Sequence, residues 1–354
     1  MRKLRWHQLA VACGLLLGSA SAQAAPAVLH VQGNKVVNER GQTVRLQGVS
    51  IASLEWSNEG EHVLESSRVA LEQWGANCIR LPLAQDRWFG KAPYQDDGGA
   101  AYRKLVDDVI AYASGKDAYV LLDLHWSNAG EWGHSIGQHK MPDANSEVFW
   151  IALATHYANR PGVLFDLYNE PHDVSWDIWQ KGGEVEEEID GKLRTYTTPG
   201  LQKLVTIIRA AGARNLLVAG GLDWGYDLSE IPKGRALDNK GGQGIMYGAH
   251  IYPWKGNQPE WNSHVGDIAK QYPVFVGEVG CEPDPKQENP QVWAPKILKY
   301  IADNGLSWTG WCFHPGATPR MLTDWNYTPT PFWGAFAKAA LQDAAKQRRA
   351  ENHR

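Results

Sequence analysis

The chain has 354 residues, a formal net charge of −4, 43% hydrophobic and 21% charged residues. That is ample for the core of one large domain. The slightly acidic balance argues against nucleic acid or an anionic membrane as the partner.

Arg2, Lys3 and Arg5 open the chain, followed by the apolar run LAVACGLLLG (9–18) and the small residues SAQAA. This is the pattern of a secretory signal peptide, too short and wrongly flanked for a membrane span. Cleavage is expected after Ala24. It would leave residues 25–354 as one exported domain, secreted or periplasmic, with the net charge lowered from −4 to −7. No later stretch has the roughly 20 apolar residues that cross a bilayer. Past the leader, Cys78, Cys281 and Cys312 have no CxxC pair and no metal spacing. Buried free thiols are expected, and a Cys281–Cys312 bridge stays open.

VLHVQGNKVVNERGQTVRLQGV (28–49) reads as an N-terminal β-hairpin with turns at QGN and ERGQ, leading into a first buried strand. Eight short apolar runs then start at Val44, Asn77, Tyr119, Val163, Asn215, Ile245, Val274 and Leu306. Helix-like sequence separates most of them, for example 103–115, 146–159 and 200–212. Continuously apolar strands alternating with helices predict a parallel sheet covered on its faces, and eight units predict a (β/α)₈ TIM barrel with the hairpin under its bottom. An open doubly wound sheet is the alternative, but no GxGxxG follows the first strand. No linker or repeat marks a second domain. The acidic run GGEVEEEID (182–190) lies in the long connection after the fourth strand. It reads as a solvated loop or helix face without calcium-loop spacing.

In such a barrel the C-terminal strand ends build the site, and the polar exceptions to the apolar runs collect there. Arg80 is placed at the end of the second strand and His125, with Trp126 beside it, at the end of the third. Asn169 and Glu170 finish FDLYNEP on the fourth. His250 and Tyr252 end the sixth, Glu278 the seventh, and Trp311 lies in the eighth. Two carboxyl groups facing each other across the mouth suit glycoside hydrolysis, one as acid and one as base or nucleophile. Burial and a second carboxyl would keep the acid protonated, while Arg80 and Tyr252 could hold the other ionised. Seventeen tryptophans point the same way. Many of them (Trp126, Trp132, Trp176, Trp179, Trp224, Trp254, Trp261 and Trp325) sit in polar or Gly/Pro-rich surroundings where flat sugar faces could stack.

The motifs NCIRLP, LLDLHW, LYNEP, AHIY, FVGEVG and WTGWCF, in this order and spacing, resemble glycoside hydrolase family 5, the cellulase-like retaining glycosidases. The resemblance runs from about Leu29 to about Ala345. It implies Glu170 as acid/base and Glu278 as the nucleophile that forms a glycosyl-enzyme. It further implies Asn169 as the holder of the sugar 2-hydroxyl, and Arg80 and Tyr252 as the groups that position Glu278. His125 and His250 would support the −1 subsite and the acid/base, and Trp311 would be the platform under the −1 sugar. No metal and no cofactor are expected. The partner is a polysaccharide or oligosaccharide, and a monomer is expected. An endo-acting β-1,4-glucanase is the leading activity. A β-mannanase, an enzyme acting on xyloglucan or β-1,6-galactan, and a transglycosylating member are the alternatives. Without an attached Ser/Pro linker, soluble or amorphous glucan is the expected target.

Overall fold

The computed structural model describes residues 25–352, so the leader expected at 1–24 lies outside the described residues. The strands in chain order are β1 (His30–Gln32), β2 (Lys35–Val37), β3 (Gln47–Ser50), β4 (Cys78–Ala84), β5 (Tyr119–Trp126), β6 (Val163–Asp166), β7 (Gly183–Ile189), β8 (Lys192–Thr198), β9 (Leu217–Gly220), β10 (Ile245–Ile251), β11 (Val274–Val279) and β12 (Ser307–Gly310). Eight of them, β3 through β6 and β9 through β12, close into a barrel. Every neighbouring pair around it is parallel. The eight apolar runs are these eight strands.

The run of buried residues along β4, β10 and β11 is unbroken because helices cover their outer faces and side chains fill the inside. The helices start where local chemistry lets them. Asp143 accepts hydrogen bonds from the backbone N–H groups of Asn145 and Ser146, and its own N–H donates to Ser146 Oγ, which caps the helix Ala144–His156. Ser175 caps Trp176–Lys181, and Asn289 caps Pro290–Asp303, whose Pro290 occupies the first turn.

β1 and β2 form the expected antiparallel hairpin. Leu29 and Val36 pack with Leu46, Cys78, Tyr119, Leu164, Leu216, Met246 and Phe275, residues at or near the starts of the barrel strands. The hairpin therefore seals the end of the barrel opposite the strand C-termini.

The acidic run departs from expectation. Residues 183–189 form β7, which pairs antiparallel with β8 in a second hairpin. Its turn is Asp190-Gly191, both left-handed at φ 52° and 72°, the conformation of a two-residue hairpin loop. Alternate residues of β7 turn inward, so Val185 and Ile189 are buried and Glu187 half-buried, while Glu184, Glu186 and Glu188 face outward or partly outward.

Cys78, Cys281 and Cys312 are all buried and free, so the Cys281–Cys312 bridge is not formed. Trp179 and Trp261 are fully buried core residues, not stacking platforms, whereas Trp224 (42%) and Trp254 (56%) are exposed. Among the described residues no helix is long and apolar enough to cross a membrane.

Candidate active site

Arg80 organises the inside of the barrel. It is the third residue of β4, within the strand and not at its end as its sequence position implied. Its length lets the guanidinium reach the upper layer. There Nη1 donates to Glu278 Oε1 at 2.8 Å, Nη2 to Asn169 Oδ1 at 2.7 Å, and Nε to Asp166 Oδ2 at 3.1 Å. Nη2 also lies 3.0 Å from Asp123 Oδ2. Asp123 and Asp166 stand side by side in register on β5 and β6.

One guanidinium thus faces three carboxyl groups with almost no access to water. An unpaired charge there would be very costly, so the cluster must hold protons. Burial pushes both Asp123 and Asp166 upward against the pull of Arg80. The same carboxyl charges hold Arg80 above its ordinary value despite its desolvation.

Glu278, in β11, is 5% exposed at the side chain. Besides Arg80 it accepts from Tyr252 Oη at 2.5 Å on its other oxygen. Tyr252 follows β10, and burial among carboxylates keeps its hydroxyl firmly protonated. Each Glu278 oxygen therefore meets a strong donor of its own. Tyr252 in turn stacks on Trp254, centroids 4.6 Å apart and 6° from parallel.

Glu170 lies beyond the end of β6 with its side chain 18% exposed. Its Oε1 is 2.9 Å from His250 Nδ1. Burial pushes the carboxyl up to about 7, against opposing pulls from His125, Arg80 and Lys255. His250 is lowered to about 3 by burial and is neutral. Its ring also explains a glycine, because a Cβ at Gly277 would fall 2.8 Å from His250 Nε2.

His125 Nδ1 lies 2.6 Å from Asp123 Oδ2, and Nε2 faces Asn169 Nδ2 at 3.3 Å. The ring is parallel to Trp311, centroids 5.2 Å apart. Trp311 follows β12 directly and is tied by Nε1 to the Thr318 carbonyl at 3.0 Å. Trp126, half-buried at the end of β5, shares no hydrogen bond or ring stacking with this group among the described residues. Adjacent strand residues face opposite ways, and His125 takes the inward position.

An oxygen of Glu170, a ring nitrogen of His250 and an oxygen of Glu278 lie within 4.8 Å of one another. Two carboxyl groups of opposite character thus stand together, one with its pKa raised by burial and one clamped by donors, with Trp311 stacked on His125 and Trp254 on Tyr252 beside them. Such a pair can donate a proton to one atom while attacking its neighbour.

Sequence reading missed Asp123 and Asp166, although both acids interrupt apolar strands, in LLDLHW and LFDLY. It also missed Gln138, whose Oε1 accepts from Asn169 Nδ2 at 2.9 Å. Gln138 sits in a polar loop with no pattern to mark it.

The family model described as cellulase (glycosyl hydrolase family 5) matches residues 37–317. Among characterised relatives, cellulase CelDZ1 of a Thermoanaerobacterium species is 25% identical over 80% of this chain and 69% of its own. Endoglucanase MaCel5A of a Microbulbifer strain is 26% identical over 86% of this chain, which spans 55% of that relative. An endoglucanase of Paenibacillus polymyxa is 26% identical over 92% and 91% of the two chains. With several such relatives the chain spans less than two thirds of their length.

In structure it is similar to β-glucanase SdGluc5_26A from Saccharophagus degradans in complex with cellotetraose. The TM-score is 0.72 at 25% identity, covering 91% of this chain and 95% of that one. The catalytic domain of Thermobifida fusca endoglucanase Cel5A shares the fold, with a TM-score of 0.65 at 19% identity over 89% and 97% of the chains. The barrel, the paired glutamates at its mouth and the match across most of the sequence together place this chain in glycosyl hydrolase family 5, and it is a glycoside hydrolase.

Proposed function

We propose that the protein is an exported, endo-acting β-1,4-glucanase that works with retention through a covalent glycosyl-enzyme. The observation that carries this is the approach of Glu170 and Glu278, one oxygen of each lying within 4.8 Å of the other. Retaining pairs stand about 5–5.5 Å apart, whereas inverting pairs need roughly 6.5–9.5 Å to admit a water. Glu278, held by Arg80 and Tyr252, attacks the anomeric carbon while Glu170 gives its proton to the leaving oxygen. Glu170, then ionised, takes a proton from the water that releases the sugar. Asn169 holds the 2-hydroxyl of the reacting sugar, and Trp311 carries its flat face. Cellulases and endoglucanases among the relatives, and cellotetraose in the related β-glucanase, support the choice of β-glucan. The basic, then apolar leader supports export.

Reducing-end release should be measured on carboxymethyl cellulose, mixed-linkage glucan, xyloglucan, glucomannan, galactomannan and β-1,6-galactan. Activity led by the glucans is expected, and activity led by mannans would replace the substrate while keeping the two glutamates. Glu170→Gln and Glu278→Gln should each cut glucan hydrolysis by at least about 100-fold with the fold intact. NMR of the first-formed product should show the β-anomer, and an initial α-anomer would overturn the retaining mechanism.

A further inference from the structure

The acidic hairpin β7–β8 and the loop after β5 are outside the reaction as described, yet they reach the reacting subsite through one side chain. We propose that Gln138 is a positioning residue for Asn169, held in place from the hairpin, and that it sets which amide hydrogen Asn169 offers to the sugar 2-hydroxyl. This rests on the role given to Asn169 above.

The loop is pinned on both sides of Gln138. Gly137 exchanges both backbone hydrogen bonds with Ser127, at 2.9 and 3.1 Å, immediately after β5. His139 is gripped by its backbone and its ring. Its N–H donates to Tyr168 Oη at 3.2 Å, and its carbonyl accepts from that hydroxyl at 2.9 Å. Tyr168 directly precedes Asn169. The His139 ring places Nδ1 3.1 Å from Glu187 Oε1, on the inward face of β7, and Nε2 2.7 Å from the Ser135 carbonyl. Lys140 N–H donates to the other Glu187 oxygen at 3.1 Å. The inward glutamate of the hairpin thus clamps the two residues that follow Gln138.

The amides orient one another. Gln138 Nε2 donates to the carbonyls of His139 at 2.8 Å and Glu170 at 3.1 Å, which fixes Oε1 as the end facing Asn169. Asn169 Oδ1 faces the donor-only guanidinium of Arg80, so its Nδ2 must face Gln138 Oε1. One of the two N–H groups is occupied there at 2.9 Å. The other meets only His125 Nε2, at 3.3 Å, a long contact that an arriving hydroxyl can replace. Without Gln138, the amide of Asn169 loses the acceptor that holds its plane. Gln138 also shares the Glu170 carbonyl with His172 Nδ1, which lies 2.8 Å from it, so one residue touches both Asn169 and Glu170 of the NEP turn.

The test is a double-mutant cycle on the full chain with 2,4-dinitrophenyl β-cellobioside, measuring kcat and KM separately together with the melting temperature. Gln138→Met keeps the length of the side chain and removes the amide. It should lower kcat about tenfold, the worth of one well-made hydrogen bond, with KM within about twofold and melting little changed. In an Asn169→Ala background the same substitution should change kcat less than about twofold. Gln138→Ala should repeat the pattern. Equal losses in both backgrounds, or a loss confined to KM and melting temperature, would overturn the positioning role. An Asn169→Ala enzyme with normal kcat would overturn the Asn169 role and this proposal together. The cycle is read on whichever of 2,4-dinitrophenyl β-cellobioside and β-mannobioside the wild-type enzyme turns over faster, so a wrong substrate in the preceding section and a wrong role for Gln138 give different results.

Discussion

At the level of single residues, the chemistry rests on how unequally the barrel treats its carboxyl groups. Glu170 is desolvated and lacks a strong cationic partner of its own, and its pKa is pushed to about 7. Glu278 receives Arg80 and Tyr252 on separate oxygens. The proton donor must be protonated when the glycosidic bond breaks, so kcat/KM on glucan should fall tenfold per pH unit above about pH 7. Dinitrophenol leaves without a proton, so on a dinitrophenyl glycoside the glycosylation step should lose that limb. A rate–pH profile on both substrates checks this, and an identical alkaline limb on both would assign it to another group. Most of these residues were legible in the sequence because a charged or amide group at the end of an apolar strand has no structural reason to be there. Asp123 and Asp166 broke the same rule, but an apolar residue follows each of them, Leu124 and Leu167, so that each reads as one acid inside a longer apolar run and as a local salt bridge. Arg80 reaches both only because the closed barrel brings β4, β5 and β6 together. Gln138 could not be found by pattern at all, since its place depends on contacts with Tyr168 and Glu187 from distant segments.

At the level of elements, the barrel strands and the three anticipated helices were readable from apolar runs and periodicity, since each buries a face large enough to dominate its segment. The hairpin β7–β8 was misread because five acidic residues obscured a period of two. Asp190-Gly191 between segments rich in Val, Ile, Thr and Tyr was the available signal. Its inward charge explains why alternation looked broken, for Glu187 faces His139 and not water. Burial alone would lower the pKa of His139, but the hydrogen bonds to Glu187 and the Ser135 carbonyl outweigh it and the net shift is upward. Both ring nitrogens face acceptors, so only the cation satisfies both. A histidine with a raised folded pKa stabilises fully below its unfolded value of about 6.5, and that contribution disappears as pH rises through the folded pKa. Glu187→Gln should therefore lower the melting temperature by a few degrees at pH 5.5 and by clearly less at pH 9. Equal losses at both pH values would mean that the charge on His139 contributes nothing to the clamp.

For the whole molecule, a buried polar centre inside the barrel makes stability depend on pH in a direction that surface charges do not set. Glu55, in the loop after β3, is 1% exposed, and its Oε1 has no hydrogen-bond partner while Oε2 accepts from the Ser53 N–H at 2.8 Å. Burial pushes its pKa to about 8, and the charges of Asp123 and Glu278 add to the effect. A carboxyl whose folded pKa exceeds its unfolded value keeps a proton that the unfolded chain has released. Each such group makes stability fall as pH rises from the unfolded value to the folded one. For Glu55 that window runs from about 4.5 to about 8. His125 and His250, lowered to about 4 and about 3, are neutral in the folded state throughout the upper part of this window and mostly neutral unfolded above 6.5. They leave the range from 6.5 to 8 chiefly to the carboxyls and to His139, which acts in the same direction. The melting temperature should therefore decline between pH 6.5 and 8. Glu55→Gln keeps the side-chain volume and an acceptor for Ser53 but cannot ionise, so it should flatten the decline and leave the protein relatively more stable at pH 8 than at pH 5. Thermal melts of both proteins across that range decide the matter. If the two slopes are the same, Glu55 is not carrying the proton, and the loss with rising pH belongs to the cluster around Arg80 and to His139.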